Sequence, residues 1–287
     1  MPGFAGKRIV LADDTLFFRT EEVQLDLDGA PRAYGVRDQG FEDICNGLAP
    51  LEPPECKGKN QGECYRPCQS AFAAWSGNDI AKLGDSMCSI GLGGGDCSKP
   101  EVRLQDPPND DWFVSETKVQ VAPPPGMRVS SWIRTQPAQL DPLELPYFVI
   151  PSGFRARPWD ATPGDAGVIL NRKTGTAVAF VIGDTGGSLD EGSAKLLAKL
   201  RGLSALATAM KVSALGERVE RVRGALNGDF RVAIFRHSAP LLPRARRGGA
   251  SVLDQTSAEL PSWIEQAAAE RLAKIGGIDR LLSCTGS

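Results

Sequence analysis

Apolar and polar positions along this chain fall into blocks of different period, and those blocks predict the elements. Lys7 to Ala12 (KRIVLA) reads as a first strand, ended by Asp13-Asp14. Val23, Leu25 and Leu27 alternate with Gln24, Asp26 and Asp28; this is the period of a half-buried strand and puts both aspartates on the face opposite the leucines. Tyr147 to Ile150, Ala166 to Leu170 and Ala177 to Ile182 are continuous apolar runs of strand length, the last two joined by a Gly-containing turn at Asn171 to Gly175. Trp112 to Val121 reads as another strand, and Phe230 to Phe235 as a buried strand that returns to the sheet. Helical spacing occurs at Ala194 to Leu203, where Leu196, Leu197, Leu200 and Leu203 share a face, at Ala205 to Ala225, and from Pro261 to Lys274. The expected architecture is α+β: a β-rich, barrel-like core of six to seven strands, of which the double-psi barrel is one form, with C-terminal helices. A single domain spans 1–287, with residues 42–111 as a Cys-rich loop insertion and 202–287 as a helical extension carrying one returning strand.

The third apolar run of the central block leaves the core at Gly183-Asp184-Thr185-Gly186-Gly187, and Asp190-Glu191 follow just before a helix. Two carboxylates on a loop leaving a buried strand suit glycoside hydrolysis, one protonated to release the leaving oxygen and one ionised to activate water or attack. Glu191 is the candidate general acid and Asp184 the candidate base, with Asp165 and Asp190 in reserve. An acid protonated near neutrality needs an apolar wall or a neighbouring carboxylate, and Asp190 beside Glu191 offers the second. The competing reading is structural: Ser188 and Glu191 fit the S-x-x-E capping box, so Glu191 could serve only the backbone of a helix start. Asp26 and Asp28 read as cleft-lining residues or as a solvated sheet face. Asp26-x-Asp28-Gly29 lacks the rest of an EF-hand loop, and Gly91 to Gly95 lacks the Lys-Ser/Thr of a phosphate loop. No metal or cofactor is expected. Trp112, Tyr147, Phe154 and Trp159 are core aromatics or sugar-stacking surfaces, and Arg155 and Arg157 near Trp159 border the same region.

Composition narrows the classes. With 33 basic and 35 acidic residues the formal charge is -2, which argues against a nucleic-acid partner held by counterion release. The one histidine, His237, is too few for a His-based metal site and sits outside any triad pattern, so carboxylates carry any acid–base work. Cys45, Cys56, Cys64, Cys68, Cys88 and Cys97 crowd one third of the chain, within a Gly-, Pro- and Asn-rich stretch that cannot hold itself together by apolar burial. They read as a disulfide framework, hence an oxidising destination; a four-cysteine zinc site is disfavoured because no C-x-x-C occurs. Cys284 stands apart in a tail expected to fray, as a further pairing partner. No stretch approaches the roughly 18 apolar residues of a membrane span, and the N-terminus shows no apolar leader core. Disulfides without a visible leader are reconciled by a removed leader or by leaderless delivery into a periplasm.

Three segments carry a resemblance. GDAGVILN, then VIGDTGG, then EGSAKLLAKL, together with LDLDGAPRAYG upstream and the weaker Trp112-Phe113-Val114-Ser115, resemble the family 75 glycoside hydrolases, chitosanases and their bacterial relatives. The matches run in the same order over about residues 22 to 200. The resemblance implies cleavage of β-1,4 linkages in glucosamine-rich polymers by an acidic pair, with inversion. It puts Asp184 and Glu191 at the pair's positions, and with them Asp26, Asp28, Tyr34, Asp165, Asp190 and Trp159 are the candidate substrate-binding residues. Asp190 replaces the family's Gly, and the Asp-to-Glu spacing is shorter than in the fungal enzymes. Those departures bear on which polymer is cut: chitosan, or peptidoglycan strands if the protein is an antibacterial effector with an immunity partner. A non-catalytic carbohydrate-binding or structural relative is the alternative from another class.

Overall fold

The computed structural model describes residues 3–4, 6–31, 33–35, 48–50, 87–89, 112–203, 225–242 and 251–286. Its strands are β1 (Gly3–Phe4), β2 (Lys7–Ala12), β3 (Thr15–Asp26), β4 (Tyr34–Gly35), β5 (Leu48–Pro50), β6 (Met87–Ser89), β7 (Trp112–Phe113), β8 (Val119–Gln120), β9 (Tyr147–Pro151), β10 (Ala166–Asn171), β11 (Thr176–Gly186), β12 (Glu191–Ser193), β13 (Leu226–Phe235) and β14 (Ser251–Val252). The helices are α1 (Val129–Trp132), α2 (Ala194–Leu200), α3 (Leu260–Lys274) and α4 (Gly277–Thr285). Six strands close on themselves in the order β3-β12-β9-β11-β10-β13, and β13 pairs back onto β3. The pairs β9–β11 and β3–β12 are parallel and the other four antiparallel. β2 adds to β3 outside the ring.

Strict alternation sorts the side chains between two faces. Leu16, Phe18, Phe148, Ile150, Ile169, Phe180, Ile182, Val232 and Ile234 fill the interior, and α2 closes it with Leu196, Leu197 and Leu200. Outward-facing Phe17, Val168, Leu170, Ala233 and Phe235 are covered by Ala268 of α3 and Leu281 of α4. Tyr147, Val149 and Val181, also outward, are covered by Val119, Val121, Trp132, Leu140 and the start of α3. Continuous apolar runs in β9 to β11 thus reflect burial on both faces.

Several expectations change. Trp112 to Val121 is not one strand: only β7 and β8 pair, with Phe113 against Tyr34 and Gln120 against Val252. β11 continues past Ile182 to Gly186, through the Gly-rich exit. The tail expected to fray is helix α4, and its Cys284 is a free thiol. The capping box does not start a helix. Glu191 lies in a strand, and the N-cap of α2 is Ser193, whose Oγ accepts the Leu196 N–H at 3.2 Å. The same fully buried oxygen accepts the Tyr147 N–H at 3.0 Å and donates to the Leu145 carbonyl at 2.7 Å. Ser193→Ala therefore strands three backbone groups and is expected to cost about 2–4 kcal/mol, read by urea unfolding. Ser70 to Leu83, where alone in the Cys-rich stretch the sequence allows a helix, residues 205–224 of the helix expected at Ala205 to Ala225, and Cys45, Cys56, Cys64, Cys68 and Cys97 lie outside the described residues.

Candidate active site

A β-bulge places the first carboxylate. β9 and β11 run in register as Tyr147 with Val181 and Phe148 with Ile182, then shift so that Asp184 sits against Val149. Gly183 is the extra residue. In an unshifted register Asp184 would pair with Ile150 and face the apolar interior; the bulge sets it against Val149, on the outer face. Only glycine fits here, because a Cβ would lie 2.6 Å from Cγ of the Tyr147 ring.

Glu191 reaches the same face from the opposite side of β9. It too is registered on Val149, so the two carboxylates flank one residue on strands two apart. At ~4.8 Å per strand step their backbones stand about 10 Å apart. The Glu191 carboxylate folds over Gly186, where a Cβ would meet Oε2 at 2.6 Å, and its Oε1 accepts the Ser188 hydroxyl at 2.9 Å. Leu189, fully buried in the interior core, anchors the intervening loop.

β3 supplies the remaining acids. Asp26 is registered on Ser193, facing outward as the period-2 reading expected, and Asp28 follows in a turn closed by its N–H donating to Asp26 Oδ1 at 2.9 Å. That turn is clamped on its far side. The Gly29 N–H donates to Ser115 Oγ at 2.8 Å, Gln136 Nε2 donates to the Gly29 carbonyl at 2.7 Å, and the Ser115 N–H donates to Gln136 Oε1 at 2.9 Å. Carboxylate oxygens of Asp26, Asp28 and Asp184 come within 4.8 Å of one another. Three hard oxygen donors at that spacing are suited to a divalent cation, a geometry that the sequence, with its incomplete D-x-D-G loop, did not indicate. The same crowding pushes the carboxyls of Asp26 and Asp184 upward.

Burial first, then mutual repulsion, governs these groups. Asp26 is pushed well above the ordinary aspartate value by desolvation, then by Asp28, Asp184 and Glu191, against a single N–H donor. Asp184 is likewise pushed well up by desolvation and Asp28, but it is opposed by the N–H groups of Thr185 and Lys118 and by the Lys118 ammonium. Glu191 is raised by desolvation and by the charges of Asp190 and Asp28, against the Ser188 hydrogen bond. Asp26 and Asp184 thus titrate as a coupled pair, both held above the ordinary aspartate value, with the Thr185 and Lys118 N–H groups and the Lys118 ammonium opposing the shift at Asp184.

This coupling has a measurable consequence for stability. Asp26 and Asp184 hold protons in the folded state at pH values where the unfolded chain, titrating near 3.8, has released them. The folded state then binds more protons, and stability falls as pH rises from about 4 through the raised values. Asp26→Asn removes one charge from the cluster and is expected to raise the melting temperature at pH 7–8, with the gain over wild type vanishing as pH approaches about 4. Parallel thermal melts across that range read it.

Other candidate residues fall elsewhere. Asp165 is fully buried and accepts the N–H groups of Thr162, Ser238 and Ala239 and the Thr162 hydroxyl, so it pins two loops from within the molecule. Asp190 points to the strand edge and pairs with Lys7 Nζ at 3.1 Å; its charge still acts on Glu191. Trp159, 5% exposed, stacks on Phe154 in the interior core and offers no open face. The Tyr34 side chain lies outside the described residues. Arg155 and Arg157 are exposed, and Arg155 acts electrostatically on Lys118 at the edge of the acidic cluster. Lys118 itself carried no local signal: its backbone N–H donates to Asp184 because Val119 and Val121 beside it pack on the outer face of β9 and β11. No protein-family model matches this chain, and no curated protein matches it significantly.

Proposed function

We propose that this protein is a glycoside hydrolase that cleaves β-1,4 linkages of an amino-sugar polymer, with Glu191 as general acid and Asp184 as the base that activates water. One observation carries the reading: the bulge at Gly183 and the register of β12 bring Asp184 and Glu191, seven positions apart in a loop-rich stretch, to either side of Val149 on one outer face. Inversion, which the resemblance implies, needs the two carboxyl groups about 6.5–9.5 Å apart, enough to admit a water between them. Glu191, raised by burial and by Asp190 and Asp28, is suited to deliver a proton. Asp184 accepts two backbone N–H groups and faces the Lys118 ammonium, the partners that favour its ionised form. The resemblance to family 75 chitosanases points the same way, and the two parallel pairs favour a barrel of the double-psi type. The clustered cysteines fit a disulfide-bonded insertion and an oxidising destination.

Chitosan and peptidoglycan remain the two substrate readings. The acidic cluster favours the protonated amines of chitosan, whereas Arg155 and Lys118 at its edge favour a glycan bearing carboxylates. Release of soluble fragments from both polymers, measured side by side with product masses, separates them. Glucosamine oligomers identify a chitosanase and muropeptides a cell-wall hydrolase. Retained binding to either polymer, with no fragments from wild type, would instead make this a carbohydrate-binding relative.

A further inference from the structure

We infer that Tyr147 is the positioning residue of this site, tying the Asp26–Asp28 turn, the bulge that aims Asp184 and the strand that carries Glu191 into one rigid unit. Its consequence for catalysis rests on the glycosidase reading above; its consequence for the acidic cluster does not. The side chain is fully buried on the outer face of the barrel. Its hydroxyl donates to the Asp28 carbonyl at 2.7 Å and lies 3.5 Å from the Asp26 carbonyl. Its ring fills the space left by the missing side chain of Gly183, one residue before Asp184. Its backbone N–H donates to Ser193 Oγ, two residues after Glu191. The Asp26–Asp28 turn, far away in sequence, thus meets the segments of Asp184 and Glu191 on one aromatic residue, and each carries an acid of the site.

The energetic logic is that of enforced proximity. Carboxylates repel, so a turn bearing Asp26 and Asp28 stays beside Asp184 only if its backbone is held there. On one side it is held by Ser115 and Gln136 through Gly29, and on the other by the Tyr147 hydroxyl. The charged groups facing Asp184 are Asp26, Asp28 and Lys118, with Glu191 acting on Asp26 and Arg155 on Lys118. Freeing the turn lets Asp28 withdraw, which relaxes the repulsion and misplaces the acids together.

Tyr147→Phe tests this, because it keeps the ring against Gly183 and deletes only the hydroxyl. Carbon-13 carboxyl titrations of Asp26 and Asp184 in the ligand-free protein are compared between wild type, Tyr147→Phe and Val168→Ala, a core variant under α3 and α4 that lowers stability without touching the site. Tyr147→Phe is expected to move both midpoints toward the ordinary aspartate value, and Val168→Ala to leave them in place. On whichever glycan wild type cleaves, kcat of Tyr147→Phe is expected to fall about 10–100-fold with KM little changed, as misplacement of catalytic groups by a fraction of an ångström to an ångström does. Midpoints that stay at their wild-type values in Tyr147→Phe overturn the positioning role whatever the activity. If wild type cleaves no glycan while the midpoints move, the glycosidase reading fails and the positioning role of Tyr147 stands.

Discussion

Asp184→Asn and Glu191→Gln are each expected to lower glycan cleavage by about 10²–10⁴-fold while the protein stays folded. Both substitutions keep side-chain shape and remove only the capacity to exchange a proton. The amide oxygen of the Asp184→Asn variant would still accept from the Thr185 and Lys118 N–H groups, and that of Glu191→Gln from the Ser188 hydroxyl. The Asp184 change also removes a buried charge from beside Asp26 and Asp28, so it should raise the neutral-pH melting temperature as activity disappears. Rates from fragment release, set beside thermal melts of the same preparations, give both quantities. Near-wild-type rates in both variants would dismiss the pair as catalytic groups. Loss of rate only in Asp184→Asn would move the second role to Asp28, the acid whose charge acts most strongly on Asp184.

Gly183→Ala is the second change expected to have a large effect. A methyl group there would sit 2.6 Å from Cγ and 2.7 Å from Cβ of Tyr147, and neither can yield cheaply because the ring is enclosed by the outer core. Overpacking of this kind costs about 1–3 kcal/mol. The loss should not be confined to stability. Displacing Tyr147 disturbs the Asp28 carbonyl it holds, and straightening the bulge rotates Asp184 toward the interior. Activity is therefore expected to fall by more than the fraction unfolded explains, which circular dichroism and rate measurements on one sample would show. Gly186→Ala makes a useful companion, since its methyl group would meet the Glu191 carboxylate at 2.6 Å and touch no part of Tyr147 among its nearest contacts.

The local pattern of the chain determined much of this protein. Continuous apolar runs marked β9, β10 and β11 because those strands are covered on both faces. Alternation from Val23 to Leu27 put Asp26 and Asp28 on the polar side, where Asp26 lies. The helical leucines of α2 and the α3 segment were legible for the same reason: period reports burial wherever an element has one partner layer. The Asp184–Glu191 pair was also visible as two acids flanking a Gly-rich stretch.

Tertiary structure alone decided what those acids face. Ser188 and Glu191 satisfy the capping-box pattern, yet parallel pairing with β3 and antiparallel pairing with β9 draw Glu191 into a strand, and Ser193 takes over the cap. Asp165 looked as available as Asp184 until three backbone N–H groups and a hydroxyl from two separate loops enclosed it. Lys7 took Asp190 from across the sheet edge, and Lys118 arrived beside Asp184 through β8. Each of these outcomes depends on contacts between residues far apart in sequence. Periodicity along a chain encodes which face of an element is buried, but not which distant group will meet it there.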